Sequence, residues 1–220
     1  MRLSRAAGSA IATYGSFTEQ EMMARGYRAA QIISIVGLPP LLAIGTIIAL
    51  SSHSIDDPGD ALQVALTSSF FIAIAPVMYI AYLLRSNKIS GGADLRHRQE
   101  RWRPYVVGIG SCVLGFLVLL WLHAPESILL LTLCYAINTT VMAVITQRWK
   151  ISAHAAGAAL PATALYAAFG TAALAFAVVV PMVCWARVRV KMHTVWQVTA
   201  GAVIGSALTW LQLSLLAPRF

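Results

Sequence analysis

Charged side chains are scarce in this 220-residue chain, at 11% of the total, and only 8 residues are acidic. A typical globular domain carries about 25%. With 59% hydrophobic residues and a mean hydropathy of +0.74, that scarcity excludes an ordinary soluble domain. Cysteine is equally sparse. Cys112, Cys134 and Cys184 each lie inside an apolar stretch, with neither the spacing of a metal site nor the density of a disulfide framework, and read as small packing residues. The first 28 residues lack a long apolar run, so no cleavable signal peptide is expected. Ser16 to Arg25 reads as a short capped helix lying on a membrane surface. Residues 1–28 are therefore expected to form an N-terminal interfacial segment, and 29–220 a transmembrane domain.

What the chain has in abundance is long apolar runs, at about 29–51, 61–84, 104–122, 127–147 and 194–216. Runs of roughly 20 residues cross a bilayer as helices. Pro39, Pro40 and Pro76 are expected to kink the first two, where neighbouring helices can cover the freed backbone. The stretch 155–186 would be about 48 Å long as one helix, too long for a core of about 30 Å. As two short helices meeting near Gly170, it puts every one of the 16 Lys and Arg residues except Arg219 on one side of the membrane. Asp56, Asp57, Asp60 and Glu126 fall on the other side. Basic links favour the cytoplasm. The expectation is an all-α polytopic membrane helix bundle of about six to seven transmembrane helices, multi-pass in the cell membrane, with its basic face cytoplasmic.

Three polar links share that face: Arg96 to Pro104, Lys150 to His154, and Arg187 to His193. An arginine can grip an anion through its planar fork. A histidine titrates near neutral pH and can attack phosphorus or carry protons. The structural alternatives are arginines that snorkel or obey the positive-inside rule, histidines that cap helices, and a serine that is a plain helix cap. Lys150, Arg189 and Lys191 read as lipid-headgroup contacts. Asn138, and the pair Gly201 and Gly205, read as contacts that hold helices together.

The three links resemble the motifs of the type 2 phosphatidic acid phosphatase superfamily. Its first motif, Lys, six residues and Arg-Pro, is matched by Arg96 and by Arg103-Pro104, although Arg98 and Arg101 offer other registers. Its second, Pro-Ser-Gly-His, is matched by Ile151-Ser152-Ala153-His154. Its third, Ser-Arg, five residues, His, three residues and Asp, is matched by Ala186-Arg187, His193 and Gln197. The resemblance covers Arg96 to about Gly205, half of the chain. Two spans appear between the first and second motifs, where many members have a shorter link.

The resemblance implies a metal-independent phosphatase without a cofactor. His193 would attack phosphorus to form a phosphohistidine. His154 would protonate the leaving oxygen and then activate water. Arg96, Arg103, Ser152 and Arg187 would hold the phosphate, and Gln197 would orient the nucleophile. A glutamine carbonyl can accept the imidazole's hydrogen bond but supplies no negative charge, whose loss costs about 10⁴-fold in a Ser-His-Asp site. The implied partners are a lipid phosphate, isoprenoid or glycerolipid, and membrane lipids, with no nucleic acid. The tail is expected to stay in the bilayer while the phosphate enters the arginine clamp. Two other readings stay open: a non-catalytic lipid-phosphate binding or transport protein, and a lipid phosphotransferase.

Overall fold

The computed structural model describes residues 19–90, 95 and 97–216. Among them there are helices and no strands: the protein is an all-α polytopic helical bundle. The chain runs through α1 (Glu19–Val36), α2 (Pro39–Ser54), α3 (Pro58–Ser69), a π-helical turn (Phe70–Ile74), α4 (Ala75–Arg85) and a 3-10 turn (Arg98–Glu100). It continues through α5 (Trp102–Trp121), α6 (Glu126–Arg148), α7 (Ala153–Phe169), α8 (Leu174–Ala177), α9 (Val179–Arg189) and α10 (Val195–Leu216).

The prolines act where they were expected to. Pro39 and Pro40 open α2, which bends by 49° from α1. Pro76 has no backbone N–H to donate, and the helix widens into the π turn just ahead of it. In that turn the Phe71 carbonyl lies five residues before Pro76, and Ser111 Oγ of α5 donates to it at 2.6 Å. A neighbouring helix thus supplies the bond that the proline withholds. The acidic cluster opens α3, where Asp57 Oδ1 accepts from the Asp60 amide at 2.9 Å.

Among the described residues five helical stretches are long and apolar enough to cross a membrane: Pro58–Arg85, Trp102–Trp121, Glu126–Arg148, Ala153–Ala177, which includes the turn at Gly170, and Val195–Leu216. The bent pair of Arg25–Val36 and Pro39–Ser54 makes a sixth. The stretch 155–186 does turn back on itself, at Gly170 with φ +62°. Beyond that turn α8 and α9 fold onto α7, so that Val183 packs on Ala158 and Leu42. The returning helix α9, of 11 residues, falls short of a span by length, so length and composition count five or six spans among the described residues. Helix α1 runs without a break across residue 28 and packs on α9. Residues 1–18, Arg96 and Arg219 lie outside the described residues.

The tightest seam joins α7 and α10. A Cβ at Gly201 would sit 2.6 Å from the Ser152 carbonyl oxygen, and one at Gly205 would sit 2.8 Å from that of Ala156. The first turn of α7 is thereby pressed against α10. Further along α10, a second helix is tied to it: Asn138 Nδ2 of α6 donates to Cys134 O at 3.0 Å and to Thr209 Oγ1 of α10 at 3.3 Å.

Candidate active site

The second and third motifs meet where α7 and α10 begin. Ser152 is the N-cap of α7, its Oγ accepting from the Ala155 amide at 3.3 Å, while its own amide donates to Gln197 O at 3.2 Å. It is fully buried and does not line the cavity. Thr194 and Gln197 form a reciprocal capping box at the start of α10. The Gln197 amide reaches Thr194 Oγ1 at 3.4 Å, and the Thr194 amide donates to Gln197 Oε1 at 3.2 Å. This Thr-x-x-Gln signature is plain in the sequence, but alignment to a phosphatase motif conceals it.

The same Gln197 Oε1 lies 3.1 Å from His193 Nδ1. An atom that accepts from the Thr194 amide is the carbonyl oxygen, so the imidazole must donate to it through Nδ1–H. That leaves Nε2 with its lone pair. His193 is only 7% exposed, and burial, followed by the charge of Arg101, brings its pKa down from 6.5 to about 4. The hydrogen bond to Gln197 opposes this, and Lys150 and Arg187 add to it. The ring is therefore neutral at pH 7, the form in which Nε2 is a nucleophile.

Two cations surround the link that carries His193. Lys150 Nζ donates to Met192 O at 3.0 Å, tying the second link to the third rather than reaching for headgroups. Arg187, only 2% exposed, lies at the end of α9, where its carbonyl accepts from the amides of Met192 and His193 at 3.1 and 3.3 Å. Its guanidinium does not line the cavity.

The first link enters in a different register from the one its spacing predicts. Arg103 is exposed, its guanidinium 5.4 Å from the Trp102 ring, and it is not brought to the other site residues. Arg101, 4% exposed, takes that place. Its Nε donates to Leu95 O at 2.8 Å and its Nη1 to Ile151 O at 3.1 Å, joining the first link to the second. The reason is rotational, since two residues at a helix start point about 200° apart.

Arg101, His154 and His193 share one cavity of about 380 Å³. Ala153 and His154, the first residues of α7, line it as well, and a helix start favours an anion. From these groups the cavity continues into the bundle between α2, α4, α5, α6 and α7, lined by Pro76, Gly108, Cys112, Tyr135, Met142 and Leu160 among others. Tyr105 Oη, Tyr135 Oη and Asn138 Oδ1 are buried without a hydrogen-bond partner, and all three residues line it. Comparison of the chain with protein-family models, with curated proteins and with solved structures finds no match.

Proposed function

We propose that the protein is a divergent lipid-phosphate phosphatase of the type 2 phosphatidic acid phosphatase kind, acting at the cytoplasmic face of the membrane through a phosphohistidine. The observation that carries this reading is His193. Its Nδ1–H is committed to Gln197, its ring is neutral, and it shares a cavity with a buried arginine and a second histidine.

Arg101 and the start of α7 hold the phosphate oxygens and place phosphorus before His193 Nε2, since positioning and charge stabilisation dominate phosphoryl transfer. Nε2 forms a bond to phosphorus as the P–O bond to the lipid breaks. The leaving oxygen takes a proton from protonated His154, and a lipid alcohol departs, or a lipid monophosphate if the substrate is a diphosphate. His154, now neutral, removes a proton from water as that water attacks phosphorus. The P–N bond breaks, inorganic phosphate leaves, and both histidines return to their starting states.

The cations that keep His193 neutral also oppose the positive charge its ring gains on phosphorylation, and Gln197 answers with a dipole alone. The bound phosphate supplies the compensating negative charge. That neutral partner favours one other reading, a lipid-phosphate binding or transport protein that keeps the clamp without fast turnover.

The test is phosphate release by the purified protein from prenyl and glycerolipid phosphates, with His193→Ala alongside. Release that disappears in the variant upholds the phosphatase. Retained release in the variant overturns the role of His193, and binding without release moves the assignment to transport or binding.

A further inference from the structure

Resting on the reading of the polar end as a phosphate site, we propose that the cavity below it measures the substrate's tail. It takes one unsaturated prenyl chain of about ten carbons into the bundle, where the sequence alone suggests a tail left in the bilayer.

Continuity is the first argument. Arg101, His154 and His193 line the same cavity as Ala43, Ile72, Cys112, Tyr135 and Leu160, and those last five are also part of the main hydrophobic core. The cavity therefore ends on packed protein. Along α5 its lining runs from Pro104 to Cys112, a depth of about 12 Å at the helical rise.

Size is the second. A cavity of roughly 150 Å³ holds one benzene, about 25 Å³ per carbon. On that scale a cavity of 380 Å³ takes about fifteen heavy atoms; the phosphate claims about five of them, which leaves about ten carbons, a geranyl chain. A diacyl glycerolipid brings two chains, each about as large as the whole space.

Chemistry is the third. The hydroxyls of Tyr105 and Tyr135 are buried in this lining without a partner. Double bonds along a prenyl chain offer them weak π acceptors, and a saturated chain offers none.

Gly108 sits on the wall, and a Cβ added there meets only Thr139 Cγ2, at 3.8 Å. Gly108→Val can thus fold while shortening the available space. The experiment measures binding of dimethylallyl, geranyl, farnesyl and geranylgeranyl monophosphates, a saturated alkyl phosphate of geranyl length, and dioleoyl phosphatidate. Binding is read on His193→Ala in lipid nanodiscs, so that turnover does not consume the ligand, and phosphate release is read on the wild type.

Geranyl monophosphate is expected to bind best. Adding Gly108→Val should weaken it about tenfold, the scale of a methylene misfit in an apolar pocket, while dimethylallyl is unaffected. Equal binding of phosphatidate or of the saturated chain overturns the proposal, as does equal weakening of every chain by Gly108→Val. If that variant does not fold, the chain-length series on the Gly108 protein decides alone. Release that ignores chain length sinks the ruler and leaves the phosphatase standing. A chain-length optimum in binding without any release does the reverse.

Discussion

The cavity has two unlike walls. On one side α7 and α10 meet backbone to backbone through Gly201 and Gly205, with the capped starts of both helices bonded to each other through Ser152 and Gln197. On the other side stands the helix widened before Pro76. There α4 takes its packing from α5 and leaves Val77 and Met78 exposed. The close wall carries His154 and His193, and the open wall carries only apolar side chains. Chemistry needs reacting atoms held to fractions of an ångström, whereas an apolar chain needs only space and a dry surface. The difference between the walls matches that division of work.

The largest expected effect comes from prising the close wall apart. Gly205→Leu puts a side chain where Ala156 Cα is 2.9 Å from the new Cβ. Overpacking of this kind costs about 1–3 kcal/mol or more, and both phosphate release and thermal stability in detergent should fall sharply. Met78→Ala, on the exposed side of the open wall and away from the cavity, should leave both near wild type, and equal losses from the two would abolish the contrast.

Next in size is the buried cation. Arg101→Ala should lower phosphate release about 10²-fold, the scale of losing a preorganised charge-stabilising donor. Arg103→Ala should be close to neutral, as surface changes are. The opposite ranking would restore the register that the motif spacing suggests.

A smaller effect is expected at Gln197. Glutamate also completes a capping box, so Gln197→Glu keeps the turn and adds a negative charge beside His193. In the wild type the ring protonates only as pH falls through about 4, and under the proposed mechanism a protonated ring no longer attacks. The added carboxylate favours the protonated ring. The acid limb of the kcat/KM profile should therefore begin at a higher pH in the variant, while release at neutral pH rises. An unmoved limb would detach Gln197 from the nucleophile.

Much of this was legible beforehand. The long spans follow from apolar runs, and their bounds shift by only a few residues. The hairpin at Gly170 came from charge rather than hydropathy, because a single helix would have carried Arg187, Arg189 and Lys191 across the membrane. Arg101 was legible only as an alternative register, because a motif counts positions along the chain, while a helix start sorts them by angle. Lys150 read as a headgroup contact because its acceptor, the Met192 carbonyl, lies in a link 42 residues away. The cavity has no signature at all in one dimension. It is a space between five helices, set by prolines and small residues that each read locally as kinks or packing.

Gln197 also joins two motions. One oxygen holds both the Thr194 amide and the His193 ring. When the first turn of α10 frays and that amide meets solvent, the imidazole loses its tether in the same event. Hydrogen exchange at the Thr194 amide would then time the alignment of the His193 ring, in the protein at rest and with no ligand bound.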